Sequence, residues 1–233
     1  MKSYLSFVVM LLLVLLGSCS GGSEDLSRYG LKGKVKEFKE FQCDPTYDND
    51  HWVASEKCEK GFRLMEFDAE GHYLRSMTMS LQDDTLNMVV PKRENGDLVE
   101  EVYYGREYLT PKHSRLVPIS RTIMDRVSDK QVNFEVWEYE QMRYEGATYY
   151  DSKGRVDRQV QVVNGREVMV HNVYEKGLLI EIYQEEKDGT RSAAQQYEYG
   201  GFDQKGNWTL RLVYSGNEKI KPELAITREI IYY

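Results

Sequence analysis

Along most of this chain hydrophobic and polar residues alternate in short runs, and turn-forming residues end a run roughly every 10 to 15 positions. The runs "HYLRSMTMSL", "DLVEEVYY", "RVDRQVQVV", "REVMVHNVY" and "NWTLRLVY" are rich in β-branched and aromatic residues. A period of two sends successive side chains to opposite faces, which suits antiparallel strands with one wet face. Turns this close together leave little room for crossover helices. The pattern therefore predicts an all-β chain, an antiparallel meander of about a dozen strands in a curved or partly closed sheet.

Two stretches strain the pattern. In "VNFEVWEYEQMRY", Val132, Phe134 and Val136 alternate on one face, so Trp137 and Tyr139 fall on the other. Either a bulge shifts the phase there, or two aromatics stand on the outer face. Exposed rings would suit stacking on sugars, whereas cross-strand aromatic packing would serve stability. In "LTPKHSRLVPISRTIMDRVSDKQ", Ile119, Ile123 and Val127 lie four apart, and Pro118 suits a first helical turn. That spacing predicts a short helix near 118–130, or an irregular insertion packed on the sheet.

The turns share a code. An aromatic-Asp-x-x-Gly core occurs in "FDAEGHYL", "YYDSKGRV" and "FDQKGNWT". An aspartate opening a type I turn accepts from backbone amides two residues on, and the glycine three residues later takes the left-handed conformation of a G1 bulge. Asp68/Gly71, Asp151/Gly154 and Asp203/Gly206 thus read as scaffold rather than chemistry. Asn95-Gly96, Asn164-Gly165 and Asp188-Gly189 read as tight hairpin turns. "YYDSKGRVDRQVQVVNGREVMVHNVYEKGLL" resembles the YD-repeat (Rhs-type) module, in which Tyr-Asp-x-x-Gly-Arg recurs along an array of hairpins. "YEYGGFDQKGNWTLRLVY" looks like the version found at the ends of small bacterial lipoproteins. The resemblance covers Phe67–Leu74 and residues 149–214, and implies a hairpin-repeat fold. Large YD-repeat proteins form a shell around a toxin domain, and nothing in this sequence resembles such a domain.

The N-terminus implies export. Lys2 precedes an apolar run from Tyr4 to Leu16, too short for a lasting membrane span, and Leu16-Gly17-Ser18-Cys19 follows it. This resembles the lipobox of bacterial lipoproteins, which implies cleavage of residues 1–18 and lipidation of Cys19. Membrane attachment through that lipid would then be lasting. Residues 19–30 are small and polar, read as a flexible tether, and 31–233 as one hairpin-repeat domain. The location implied is the outer membrane of a Gram-negative bacterium, facing the periplasm or the surface.

Charge refines the picture. The chain carries 31 Lys/Arg against 38 Asp/Glu, so a nucleic-acid partner is disfavoured. Residues 105–130 run against this balance with six basic and three acidic residues. Arg115, Arg121 and Arg126 are therefore candidates for an anionic partner. Cys43 and Cys58 could form a disulfide in an oxidising envelope or stay as buried thiols. No zinc-protease, serine-hydrolase or phosphate-loop motif occurs, and no metal or cofactor set is recognisable. The sequence thus reads as an envelope lipoprotein with a binding or structural role toward a glycan or a protein. Two other readings are an envelope enzyme acting on glycans and a subunit of a surface complex.

Overall fold

The structure, a computed structural model, describes residues 23–56, 58, 60–110, 113–192, 194–216 and 218–233. The export signal, Cys19 and the start of the expected tether lie outside these residues. A short helix, α1 (Ser23–Arg28), opens the described chain. The strands that follow are β1 (Val35–Cys43), β2 (Pro45–Asp48), β3 (His51–Ala54), β4 (Lys60–Phe67), β5 (Tyr73–Met79) and β6 (Thr85–Glu94). Next come β7 (Asp97–Thr110), β8 (His113–Ser128), β9 (Gln131–Glu138), β10 (Gln141–Tyr150) and β11 (Val156–Val163). The last are β12 (Arg166–Glu175), β13 (Leu178–Glu186), β14 (Gln195–Phe202), β15 (Trp208–Ser215) and β16 (Leu224–Tyr232).

Fourteen of these strands form a closed antiparallel barrel. Each pairs with its sequence neighbour, β1 pairs with β16, and β1 also pairs with β4 across the β2–β3 excursion. The meander is therefore fully closed rather than partly so, which leaves the barrel sheet without a free edge. The expected helix near 118–130 is corrected to strand β8, which pairs with β7 and β9. The mistake has a simple cause: residues four apart share one face of a strand as well as of a helix. Ile123 and Val127 stand exposed on it, so no apolar stripe faces a core.

The turn code operates at one end of the barrel. In each Asp-x-x-Gly turn the glycine amide donates to the aspartate carbonyl, at 3.0 Å for Gly71 and Gly206 and 3.1 Å for Gly154. The three glycines have φ of +89°, +73° and +78°. The aspartate carboxylates accept from amides one turn on, as Asp151 does from Lys153 and Arg155 at 2.8 and 3.0 Å. Replacing Gly154 by valine, in open space but at positive φ, should cost about 1–3 kcal/mol. Thermal denaturation would check this, and an unchanged Tm would count against the turn assignment.

The expected tether is partly corrected as well. Asp25, Leu26, Tyr29 and Leu31 are buried, and Tyr29 packs against Phe38, Phe67 and Tyr73 at ring separations near 6 Å. The same short segment bonds Arg93 of β6 and Arg228 of β16, and it interacts electrostatically with Tyr150 of β10. β1 and β10 lie on opposite sides of the ring. One six-residue helix reaches both only from inside, so α1 stoppers one mouth of the barrel. Residues facing α1 are therefore lumenal, and the register carries that assignment round every strand.

The β2–β3 hairpin lies outside. Its Trp52 and Ala54 pack on Leu210, Leu212, Tyr214 and Ala225 of the outer wall. Cys43 and Cys58 are joined by a disulfide with Cα atoms 4.3 Å apart, which ties the returning chain to the end of β1. The bond spans 15 residues, and a loop of that length contributes at most about 3 kcal/mol in the chain-entropy account. The Cys43→Ala, Cys58→Ala double variant should melt several degrees lower, with the loss confined to this hairpin by hydrogen exchange. Uniform loss of protection across the barrel would show the hairpin to be integral to closure.

Candidate functional site in the barrel lumen

β9 shows the two faces most clearly. Val132, Phe134 and Val136 are buried inside, and Asn133 and Glu135 are exposed outside. Phe134 can lie flat against β10 because Gly146 faces it; a Cβ there would sit 2.6 Å from the ring. Following the register, Glu66, Arg75, Lys92, Glu100, Arg121, Glu135, Arg158, His171, Glu181 and Glu198 all point outward. No helix among the described residues is long and apolar enough to cross a membrane, which leaves only the strands to judge. A lipid-facing barrel needs a continuous apolar band, and a buried Arg or Lys there costs about 2–4 kcal/mol. Charges spread over this many strands make a wall suited to water.

The lumen beside α1 is polar and crowded. Glu40 and Arg228 are direct cross-strand partners. Arg228 Nε donates to Glu40 Oε1 at 2.8 Å, and its guanidinium lies 3.5 Å from the centre of the Trp208 ring. Burial alone would push the Glu40 carboxyl up, but Arg228, Arg63 and Arg211 together hold it below the ordinary value. A second group surrounds Glu101, which is 3% exposed. Asp25 accepts from the Tyr73 amide at 2.7 Å and pairs with Arg93. Among the described residues, both Glu101 oxygens, Tyr29 Oη, Arg63 Nη2 and Arg93 Nε are buried without a hydrogen-bond partner. Burial pushes the Glu101 carboxyl up to about 7, against the pull of Arg28 and Arg63.

Away from α1 the inward surface carries mostly neutral groups, with Glu138, paired to Arg143, and Glu186 at its far rim. Thr148, Gln159 and Gln161 form a buried row, Gln159 Nε2 donating to Thr148 Oγ1 at 3.1 Å and Gln161 Nε2 to Gln159 Oε1 at 3.0 Å. Nearer the far mouth Thr78, Asn87, Ser120, Gln184 and Gln195 face inward and are half-buried, with Tyr103 and Tyr144 among them. These amides, hydroxyls and rings form the wall of a polar cup whose floor is the charged layer over α1.

Of the candidates named from sequence, Arg121 and Trp137 face outward and Tyr139 lies in a turn, whereas Arg126 is the direct partner of inward-facing Val132 and stands at the α1 mouth. Arg115 pairs with Glu107 at 2.8 Å, Arg121 with Glu140 at 3.1 Å, and Arg126 with Asp129 at 3.2 Å. Each of the three arginines is thus paired with a carboxylate, only Arg115 with one on the β7–β8 arm itself. Trp137 stands on the outer wall beside Arg121, and its Nε1 donates to Glu135 at 2.9 Å. β9 pairs with β8 without a register shift up to Glu138, so no bulge on that side moves it. Tyr139 leaves the strand and turns with Glu140, both at positive φ. Sequence reasoning missed a longer outer row: Tyr149, Arg158, His171 and Tyr183 are successive cross-strand neighbours, with His171 stacked on Tyr183 at 4.8 Å. It also missed Glu40, Glu101 and the glutamine row. Adjacent Glu100 and Glu101 point opposite ways, and only the register tells which is inside.

No protein-family profile matches the sequence, and neither does any curated protein. Among solved structures, the chain is similar to a porin-like protein from Bacteroides vulgatus ATCC 8482, with a TM-score of 0.47 and 11% identity. That match covers 87% of this chain and 99% of the other. A porin-like protein from Bacteroides uniformis ATCC 8492 matches with a TM-score of 0.30 and 6% identity over 84% of this chain and 96% of that one.

Proposed function

We propose that this chain is a non-catalytic envelope lipoprotein, tethered through Cys19, whose stoppered barrel binds a neutral polar ligand such as an oligosaccharide. The observation that carries the reading is the cup of half-buried amides, hydroxyls and tyrosines above a closed floor. Such groups match sugar hydroxyls as donors and acceptors, and the flanking rings offer apolar faces. The charged outer wall supports a domain that stands in water while a lipid holds it to the outer membrane. The repeated Asp-x-x-Gly turns support a YD-like hairpin module as its building unit.

The rival reading, a glycan-cleaving enzyme, would need two reachable carboxyls. The Glu40 and Glu101 carboxyls are shifted in opposite directions, as in such a pair, but both are buried beneath the segment of α1 and Tyr29. Calorimetric titration with oligosaccharides released from the cell envelope tests the binding reading. The Asn87→Leu, Gln184→Leu double variant should bind at least tenfold more weakly with its Tm kept. Binding unchanged by this variant, or products appearing from the glycan, would sink it.

A further inference from the structure

Successive antiparallel strands deliver alternate connections to opposite ends of the barrel. The α1 end carries segments 29–34, 68–72, 95–96, 129–130, 151–155, 176–177 and 203–207. They hold Lys32, Lys34, Lys130, Lys153, Lys176, Lys205 and Arg155 against five carboxylates, a net of +2. All six lysines are exposed. Three of the carboxylates, Asp68, Asp151 and Asp203, are folded back onto the amides of their own turns, so the outermost groups are mainly ammonium. Among the described residues the far end carries 44–56, 58, 80–84, 139–140, 164–165, 187–192, 194, 216 and 218–223, with ten carboxylates against four cationic residues, a net of −6. Exposed apolar residues occur at both ends, so charge is what distinguishes them.

The chain also enters at the α1 end. Ser23 follows Cys19 by four residues, a span of ~14 Å at full extension. That is shorter than the ~26 Å run of an eight-residue strand, so a lipid on Cys19 cannot place the far end against the bilayer.

We propose that the α1 end of the barrel is a docking surface for an anionic lipid bilayer, its lysine-tipped turns seated on the headgroups and the far mouth turned away. The orientation rests on Cys19 being the lipid anchor, whereas the sorting of charge stands without it. Polybasic surfaces beside a lipid anchor are a known second signal for membrane seating. The test is acetylation of lysines, read by mass spectrometry, on the mature protein reconstituted into phosphatidylcholine vesicles or equimolar phosphatidylcholine and phosphatidylglycerol. On the anionic vesicles the six lysines should react several-fold more slowly than on the neutral ones, with Lys187 and Lys221 of the far end unaffected and high salt abolishing the difference. Equal reactivity of both sets on the anionic vesicles overturns the proposal. Absence of acyl mass on Cys19 would instead remove the anchor, and the unlipidated chain mixed with the same vesicles then decides. Slower labelling of the six lysines on anionic vesicles keeps the docking surface, and no change refutes it.

Discussion

Asn207→Ala should lower stability by about 4 kcal/mol. Asn207 is wholly buried and closes the barrel where the two ends of the chain meet. Its Oδ1 accepts from the Lys32 amide at 2.6 Å, and its Nδ2 donates to the Lys32 carbonyl at 3.0 Å and to Tyr232 Oη at 2.6 Å. Tyr232 in turn donates to Asp203, which shapes the last Asp-x-x-Gly turn. One carboxamide thus joins the segment leading from α1, the β14–β15 turn and β16. Alanine strands a backbone donor and an acceptor together, at about 1–3 kcal/mol each. For a domain of this size the Tm should fall by roughly 8–16 °C. Asn207→Asp keeps the acceptor, loses the donor and should fall between. A Tm within a degree or two of the parent for Asn207→Ala would mean that the N-terminal segment is not clamped there.

Glu101→Gln should raise stability at high pH and leave it unchanged at low pH. The Glu101 carboxyl stands at about 7 in the fold against an ordinary 4.5. It is an acid with a raised value, so the unfolded chain gives up its proton first. Below about pH 4.5 both states hold the proton and the group contributes no difference. Between about 4.5 and 7 the fold is progressively penalised, by ~3 kcal/mol once both states are ionised. The glutamine variant escapes that penalty. Denaturant melts of parent and variant should therefore coincide near pH 4.5 and diverge toward pH 8, with the variant more stable. The comparison cancels the opposite trend of Glu40, Asp151 and Asp203, whose carboxyls sit below their ordinary values and lose stability only in stronger acid. Equal pH dependence of the two proteins would place Glu101 in a solvated site rather than under α1.

Much of the architecture was legible in the sequence because it is local. A period of two, turns that demand a left-handed glycine and short spacing between them leave few choices besides an antiparallel meander. Closure was not legible, since it depends on β1 pairing with both β4 and β16. The β1–β16 contacts join residues nearly the whole chain apart, and no local signal marks them. Strand β8 was misread because Ile119, Ile123 and Val127 satisfy both periods. The segment before β1 looked like a tether because "SEDLSRYG" is mostly polar, although Leu26, Tyr29 and Leu31 suffice to fill a barrel mouth. The site was the least legible. Glu40, Glu101, Gln159 and Gln161 resemble any other strand residues until the register sends them inward.

The central claim is that the strand wall faces water and that any hold on the membrane lies outside it. Glu135→Cys, Arg158→Cys and Glu198→Cys place single thiols on three parts of the outer wall, with Phe134→Cys as an inward control. The variants would be labelled with a charged maleimide in opened membranes that retain the lipoprotein. The three outward thiols should react as fast as those of the unfolded chain, and the Phe134→Cys thiol should stay unreactive until denaturant is added. Outward thiols protected by the membrane and released by detergent would contradict the claim and make the barrel a membrane-spanning one.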